Sequence, residues 1–386
     1  MTAENERLAE RATQVLPRGN SRATLYVPPA PPYAVEGEGA VVVDADGHRV
    51  IDCNNNYTSL IHGHAHPSVT EAAVGAARRG SAFGLPTESE IALAEVLSGR
   101  FGRDLRWRFA NSGSEAVMMA MRGARAFTGR ELVVRLAGAY HGTYDQVVAP
   151  DEPGVPRPAR EATVSVAQDD EAALRSVFRT GGGNIAAVLV DLMPNRAGLR
   201  PLAPSFVTAL REEAAAAGAL VIVDEIITYR LGLGGLQASY GLVADLTTVA
   251  KIIGGGFPVG GLGGRPEVMA SFDPQRPSAI HWGGTFSANP VTMAAGAAAL
   301  AAYGPEEIDA LNGRGDALRR RLAAAGVEVS GRGSLLRIFP DDPAKAWWEL
   351  YRRGVLVSVN GLVALSTAMT DEQLDTVGAV IVDTLA

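Results

Sequence analysis

The chain has 386 residues, with 42 acidic and 35 basic side chains and a formal net charge of −7, which argues against non-specific binding to nucleic acid or anionic membranes and favours small-molecule partners. A single cysteine, Cys53, excludes an internal disulfide, and no apolar run reaches the roughly 18 to 20 residues that a membrane-spanning helix needs. Because the first residues are charged where a signal peptide has an apolar core, we expect a cytoplasmic protein.

The amino-terminal forty residues predict a helix and a proline-rich extended arm at 27–32. Further along, short apolar runs rich in β-branched residues alternate with helical patterns. The predicted strands are 133–136, 186–190 and 220–223, and the predicted helices are 114–128, 170–178 and 205–217. This alternation predicts a parallel α/β sheet with right-handed crossovers.

The carboxy-terminal part begins with helices predicted at 290–302 and 305–325. The last sixty residues predict, in order, a strand at 334–339, a helix at 344–353, strands at 355–359 and 362–366, and a helix at 371–385. This order is typical of a small α+β domain.

Lysine usage marks one candidate catalytic residue. The chain has two lysines against 33 arginines, and Lys251 is followed by Ile252, Ile253 and a run of three glycines. Unlike a guanidinium, an ε-amine can lose its proton when desolvated and attack a carbonyl to form a Schiff base. The other lysine, Lys345, lacks such a setting and is interpreted as a helix-surface charge.

Two acids follow the apolar strand at 220–223, and these are Asp224 and Glu225. The carboxyl edge of a parallel sheet is where α/β proteins bind ligands, so we expect one of these acids to face a ligand. A solvated loop, a helix N-cap or a magnesium site would explain the same pattern.

Two turns with hydroxyl side chains precede helices. Residues 109–116 run from a strand through Ser112, Gly113 and Ser114 into a helix, an arrangement suited to a phosphate, although Ser114 could instead simply cap its helix. Residues 283–290, with Thr285, form a similar turn that alone is also an ordinary helix start.

Together these stretches resemble a known family. The order of phosphate turn, strand-end aspartate, glycine-flanked lysine and Gly-Thr turn resembles the fold type I pyridoxal-phosphate enzymes, in particular the class III aminotransferases. The motifs that carry the resemblance are 44–49, 63–67, 111–116, 140–142 and 245–256. The last of these is similar to the branch of glutamate-1-semialdehyde aminomutase and the β-amino-acid (β-phenylalanine type) aminotransferases. The resemblance runs from about Arg18 to the end of the chain.

The resemblance implies a fold and a domain division. The fold is α/β, with a large domain whose mostly parallel central sheet is flanked by helices, plus a small α+β terminal domain. Residues 1–50 would form an arm and part of the small domain, 51–303 the large domain that binds pyridoxal 5′-phosphate, and 304–386 the carboxy-terminal small domain.

The resemblance also implies roles for site residues. Lys251 would hold the cofactor as a Schiff base and then act as a base, and Asp224 would keep the pyridine nitrogen protonated. Residues that would contact the cofactor are Ser112, Gly113 and Ser114 at the phosphate, Tyr140 and Ile226 on the two ring faces, and His141 beside Tyr140. Thr285 would reach the cofactor phosphate of a neighbouring subunit, which implies a homodimer.

Substrate residues are predicted from the same resemblance. Arg22 would bind the substrate carboxylate, with a surface arginine on a mobile arm as the alternative. Arg196 lies in a turn where relatives carry Glu-Pro, and it would offer a second positive charge. Asn360 replaces an arginine that contacts the keto acceptor in β-amino-acid enzymes. Trp282 would line a substrate pocket or pack at an interface.

His62, His64 and His66 alternate as metal ligands on a strand do, but the Gly-His-Ala-His-Pro turn favours a structural role, and no metal is assigned.

The predicted function is an aminotransferase that uses ping-pong chemistry on a carboxylate-bearing amine, with a β-amino acid favoured, and on a keto acid. Residues 144–160 are shorter than the aminomutase gating loop, which favours release of a keto product over retention of the intermediate. An aminomutase, a racemase or decarboxylase on the same scaffold, and a catalytically silent binding subunit remain alternatives. A nucleotide-binding α/β protein is disfavoured because no Gly-x-x-x-x-Gly-Lys-Ser/Thr run occurs.

Overall fold

A computed structural model describes residues 3–149 and 151–386. The chain forms two compact units, one of Glu71–Ile308 and one of Met1–Thr70 with Asp309–Ala386. The domain boundaries at residues 50 and 303 stay a prediction. Within the described ranges, none of the helices combines the length and the apolar character needed to cross a membrane.

Strands and helices alternate through most of the chain. The strands are β1 (Ala34–Glu38), β2 (Val41–Asp44), β3 (Arg49–Asp52), β4 (Arg106–Ala110), β5 (Leu132–Leu136), β6 (Thr163–Val166), β7 (Ile185–Val190), β8 (Leu220–Asp224), β9 (Leu246–Ala250), β10 (Gly260–Gly264), β11 (Val329–Arg332), β12 (Leu335–Ile338), β13 (Val355–Leu356) and β14 (Leu362–Ala364). The helices are α1 (Ala3–Thr13), α2 (Asn55–Thr58), α3 (Pro67–Arg79), α4 (Glu88–Phe101), α5 (Gly113–Thr128), α6 (Arg157–Glu161), α7 (Glu171–Gly181), α8 (Pro204–Ala217), α9 (Pro266–Met269), α10 (Pro290–Ala301), α11 (Pro305–Ala324), α12 (Pro343–Arg352) and α13 (Asp371–Leu385).

The unit of Glu71–Ile308 is built on a seven-stranded sheet in the order β4-β10-β9-β8-β7-β5-β6. The pairs from β6 to β9 are parallel, and β10 runs antiparallel between β4 and β9. The residues of β7, β8 and β9 are all buried, as expected for strands covered on both faces. This confirms the predicted mostly parallel α/β sheet and puts the ends of β8 and β9 side by side.

The sequence analysis missed β10, whose Gly-Gly-Leu-Gly-Gly sequence lacks the side chains that favour strands. Close packing explains this composition. A Cβ atom added at Gly260 would lie 1.9 Å from the carbonyl oxygen of Ser112. Only glycine at position 260 therefore lets β10 approach Ser112, the residue that caps the start of α5.

The other unit contains two small sheets, one ordered β1-β2-β3-β13 and one ordered β11-β12-β14. The strand predicted at 355–359 is wrong in extent, because only Val355–Leu356 pair, in parallel with β3. Ser358 ends the strand, since its hydroxyl accepts a hydrogen bond from the backbone N–H of Leu362 at 2.8 Å and closes a turn. The β1–β3 meander and β11 were also not predicted, and neither were β6 and β9 of the seven-stranded sheet.

An apolar core of the Glu71–Ile308 unit, called the sheet unit below, lies around α5. Val117, Met121 and Ala124 of this helix pack with Val133 of β5 and Ile222 of β8 in one buried cluster. These helix positions recur at spacings of three and four residues, which gives α5 one apolar face. The core thus fixes the start of α5 against the sheet edge at which β8 ends.

Candidate active site

Asp224 is the last residue of β8 and is buried at the carboxyl edge of the sheet. Its Oδ2 lies 2.7 Å from Nδ1 of His141, and its Oδ1 accepts hydrogen bonds from Thr248 Oγ1 at 3.2 Å and from the backbone N–H of Ile226 at 3.0 Å. These partners come from three segments, so the carboxylate is held in one orientation.

The neighbouring Glu225 stabilises the turn that follows it. Its carboxylate accepts hydrogen bonds from the Thr228 hydroxyl and from the backbone N–H groups of Leu236 at 3.0 Å and Gln237 at 2.7 Å. Burial raises the pKa of Glu225 to about 7, against the opposing effect of these donors. Of the two acids at this strand end, Asp224 contacts the imidazole and Glu225 holds the following turn.

Lys251 follows β9, which pairs in parallel with β8 so that Thr248 lies opposite Asp224. Lys251 begins a short 3₁₀ turn and has a φ of 56°, which is unusual for a residue with a side chain. Burial lowers the pKa of its ammonium, and the carboxylate of Asp224 opposes that shift. A strained, desolvated lysine beside an aspartate is typical of a functional site.

Helix α5 is capped at its start by Ser112. The alternative from the sequence, in which Ser114 caps this helix, is therefore wrong. The Ser112 hydroxyl accepts from the N–H of Glu115 at 3.2 Å and donates to the Glu115 carboxylate at 2.9 Å. A Cβ atom at Gly113 would lie 2.7 Å from Cδ1 of Ile226. The first N–H groups of α5 thus lie close to the loop that follows Asp224, where they can bind an anion.

The loop of Tyr140, His141 and Gly142 contacts the same helix start. The Ser114 hydroxyl accepts from the N–H of Thr143 at 3.2 Å, and a Cβ atom at Gly142 would lie 2.4 Å from that hydroxyl oxygen. His141 is fully buried, and its Nε2 has no hydrogen-bond partner among residues 3–149 and 151–386. Buried polar atoms are almost always paired, so this nitrogen marks incomplete packing at the site.

The structure therefore brings one predicted set together within the sheet unit. Lys251, Asp224, His141 and Ile226 are linked by the contacts above, and Tyr140 adjoins His141 with 38% of its surface exposed. Thr248 was missed by the sequence analysis. The available signal was a polar threonine within a buried strand that neighbours the strand of Asp224.

Asp191, at the end of β7, was not assigned a role from the sequence either. It is buried, and Oδ1 accepts from the N–H of Met193 at 2.9 Å. Burial raises its pKa well above the ordinary range, and the charge of Asp224 adds to the effect. The surroundings of Asp191 thus disfavour the ionised form of its carboxyl group.

Thr285 and Trp282 lie elsewhere in this unit. Both line a cavity of about 490 Å³ whose walls also include Phe83, Leu85 and Arg108, whereas neither Lys251 nor Asp224 lines it. The ring of Trp282 lies 4.9 Å from the Arg122 guanidinium carbon. Thr285 is exposed.

Arg22 and Asn360 belong to the other unit. A guanidinium nitrogen of Arg22 donates to Asn56 Oδ1 at 2.7 Å, and the side chain is exposed. The Oδ1 of Asn360, also exposed, accepts from the N–H of Leu362 at 3.4 Å. Asn360 is thus a turn residue with a neutral side chain.

The alternating histidines have separate partners in the same unit. His64 Nε2 lies 2.7 Å from Oδ2 of Asp52, and His62 Nδ1 lies 2.8 Å from the Thr367 hydroxyl. Within the part of the chain that the structure describes, no group of three or more His, Cys, Asp or Glu side chains is arranged to hold a metal ion.

Comparisons with known proteins identify the family. The family model described as aminotransferase class-III matches residues 26–385. The chain belongs to the class III aminotransferases. A glutamate-1-semialdehyde 2,1-aminomutase from Aeropyrum pernix is 36% identical over 398 residues, which cover 94% of this chain and 92% of the relative.

Solved structures of class III members have the same fold. An omega-transaminase from Sphaerobacter thermophilus is 40% identical, with a TM-score of 0.94 and coverage of 99% of this chain and 97% of that chain. A beta-phenylalanine aminotransferase from Variovorax paradoxus is 35% identical, with a TM-score of 0.93 and coverage of 98% and 93%. The predicted family and fold type are confirmed.

The cofactor of this family is pyridoxal 5′-phosphate. A solved transaminase with this cofactor bound is 36% identical to this chain, with a TM-score of 0.95 and coverage of 100% of this chain and 98% of that chain. The sheet unit fits this group. It offers an amine with a lowered pKa, an oriented carboxylate, a helix start for the phosphate and an unpaired imidazole nitrogen.

Proposed function

We propose that this class III enzyme is an aminotransferase that moves an amino group from a carboxylate-bearing amine, with a β-amino acid as the favoured donor, to a keto acid by ping-pong chemistry. The observation that carries the proposal is the pairing of Lys251, whose ammonium pKa is lowered, with Asp224, whose carboxylate is oriented by His141. The resemblance to the β-phenylalanine aminotransferase supports the choice of donor.

Each residue of this constellation has a proposed part. Bound pyridoxal phosphate supplies a reactive carbonyl and an electron-withdrawing ring. Lys251 Nζ, whose ammonium pKa is lowered by burial, would hold that carbonyl and would move the substrate proton. The Asp224 carboxylate keeps a proton on the ring nitrogen, and His141 fixes its orientation.

The remaining contacts would position the cofactor. Ser112, Gly113 and Ser114 would bind its phosphate at the start of α5, where backbone N–H groups and the helix dipole favour an anion. Tyr140 and Ile226 would pack on the two ring faces. These roles would put the phosphate beside a helix start and the ring nitrogen beside a carboxylate.

A homodimer is part of the proposal, with Thr285 completing the neighbouring site. Support comes from the exposure of Thr285 among apolar side chains, since Phe286 is 60%, Phe83 53% and Leu85 77% exposed in the single chain. Exposed apolar patches of this kind mark association surfaces. Sedimentation of the purified protein as a monomer at micromolar concentration would reject this part.

An aminomutase is the second candidate, because the curated relatives at this level of identity carry that name. The two reactions differ in their release of product. We expect a β-amino acid to convert the bound cofactor to its pyridoxamine form while one equivalent of keto acid appears in solution. Isomerisation of glutamate-1-semialdehyde without release of a keto acid would favour the aminomutase. Retention of the pyridoxal form with every amine would favour a racemase or decarboxylase.

The same assay tests Arg22 as the carboxylate-binding residue. Arg22→Ala should lower kcat/KM for carboxylate-bearing donors by about 10- to 100-fold, the range expected for loss of a charged hydrogen bond, and leave simple amines little changed. An equal loss for both classes would make Arg22 a structural residue, as its hydrogen bond to Asn56 would then suggest.

A further inference from the structure

Arg196 is an exposed arginine whose guanidinium group lies over an aromatic ring of the candidate site. Its guanidinium carbon lies 4.0 Å from the centroid of the Tyr140 ring, and the side chain is exposed. Among the described residues it has no carboxylate partner. By contrast, Arg108 donates to the carbonyls of Phe272 and Trp282. Arg196 is therefore an ordered cation whose N–H groups are available.

The backbone that carries Arg196 is held firmly. The N–H of Leu199 bonds to the carbonyl of Pro194 at 2.9 Å and closes a turn around Arg196, and the Leu199 side chain is fully buried. A Cβ atom at Gly138 would lie 3.5 Å from Cβ of Ala197, so the two segments run side by side. The turn that carries Arg196 therefore packs against the segment that leads to Tyr140.

This arrangement connects Arg196 to the proposed reaction centre. The guanidinium contacts Tyr140, the next residue His141 bonds to Asp224, and Asp224 lowers the energy of the charged form of Lys251. Arg196 and the residues proposed to handle the cofactor thus belong to one connected set of contacts within the sheet unit.

The contact with the ring leaves the hydrogen-bonding capacity of Arg196 unused. Its guanidinium carbon lies over the Tyr140 ring, and none of the described hydrogen bonds or ion pairs involves its N–H donors, which lie in the plane of the group. Such a planar fork binds a carboxylate through two parallel hydrogen bonds. Because stacking already restricts the side chain, less rotamer freedom is lost on binding than for a mobile arginine.

We propose that Arg196 determines acceptor specificity by binding the distal carboxylate of a dicarboxylic keto acid. The inference rests on the proposed aminotransferase function, in which Arg22 binds the donor carboxylate. A dicarboxylic acceptor brings a second negative charge, and Asn360 offers only a neutral amide held in its own turn. Arg196 supplies the missing charge within the sheet unit.

The test begins with binding, which is independent of turnover. Titration calorimetry of the holoenzyme compares glutarate with pentanoate, two unreactive five-carbon acids that differ by one carboxylate. We expect glutarate to bind at least about tenfold more tightly, and Arg196→Gln to remove that preference. Arg196→Lys should keep part of it, because the charge remains but the fork is lost. Arg211→Gln, at an exposed arginine of α8, is the matched control and should change nothing.

The second readout is the return of the pyridoxamine form to the pyridoxal form by keto acids. In Arg196→Gln, the rate constant with 2-oxoglutarate at low concentration should fall about 10- to 100-fold, while that with pyruvate changes less than about threefold. Equal loss with both acids would mean that Arg196 only positions Tyr140, and would overturn the proposal.

Two further outcomes are decisive. If the wild-type enzyme does not prefer glutarate, or if Arg196→Gln retains the preference, the carboxylate site is rejected. If the preference depends on Arg196 but no keto acid reacts with the wild-type enzyme, the proposed aminotransferase function fails and the carboxylate site stands.

Discussion

Asp224 and Glu225 are adjacent acids at one strand end, yet they serve two regions of the molecule. Asp224 faces His141 and Thr248, beside the lysine of lowered pKa. The Glu225 carboxylate accepts hydrogen bonds from three donors in residues 228–237, namely the Thr228 hydroxyl and the backbone N–H groups of Leu236 and Gln237. The comparison shows that the hydrogen-bond partners of a buried carboxylate, and not its position in the sequence, decide its role. One carboxylate can take part in catalysis while its neighbour stabilises the fold.

The largest expected effect separates the chemistry from the rest of the chain. Lys251→Ala should lower turnover by at least about 10⁴-fold, because no other group can supply a neutral amine at this position, while the cofactor still binds through its phosphate. Steady-state rates and cofactor absorbance measure the two effects. Lys345→Ala, which removes an exposed lysine, is the control and should retain full activity. Full activity of Lys251→Ala would contradict the assignment.

Asp224→Asn should lower kcat by about 10³-fold, since a neutral amide does not hold a positive charge on the cofactor ring. The unfolding temperature should change little, because the amide oxygen can still accept the hydrogen bonds from Thr248 and Ile226. The informative comparison is Glu225→Gln in the same assay, which should keep kcat within about tenfold when normalised to bound cofactor. Equal loss of kcat in both variants would erase the distinction between the two acids.

Glu225→Ala should destabilise the protein by about 2 to 4 kcal/mol, because three donors lose a buried acceptor. The shift in the unfolding midpoint of the holoenzyme reports the effect, and Glu212→Ala, at an exposed position of α8, controls for the loss of a carboxylate. A stability equal to that of the control would mean that the turn does not depend on Glu225.

The pH dependence of stability sharpens the same point. The pKa of Glu225 is about 7 in the folded chain and about 4.5 without burial, so the folded state binds the proton more tightly. Its contribution is fully present below pH 4.5 and is lost as the pH rises to about 7, amounting to about 1 to 3 kcal/mol. Glu225→Gln should flatten the unfolding free energy between these pH values. An unchanged slope would place the titration at another group.

Part of this site could be predicted from the sequence because it depends on local order along the chain. Asp224 follows an apolar run that was predicted as a strand, which puts it at the carboxyl edge of the sheet, whereas Lys251 was joined to it through the family resemblance. The alternation of apolar runs and helices predicted β5, β7 and β8 within a residue or two of their observed ends, but β9 was not predicted.

Other features depend on contacts between distant segments and left no local pattern. The sequence analysis could not say which of the two acids faces a ligand, since each is a polar residue after the same strand. β10 was missed because its glycines are required by packing against Ser112 and carry no strand signal. The stacking of Arg196 on Tyr140 joins residues 56 positions apart, and no periodicity in the sequence reports it.

The central claim is that the cofactor is held by Lys251 in the region of Asp224. Borohydride reduction of the holoenzyme, followed by peptide mass mapping, tests it directly, because the chain has two lysines. We expect the phosphopyridoxyl group on the peptide that contains Lys251 and none on the peptide that contains Lys345. Label on Lys345, or no label in a holoenzyme that is active, would contradict the account.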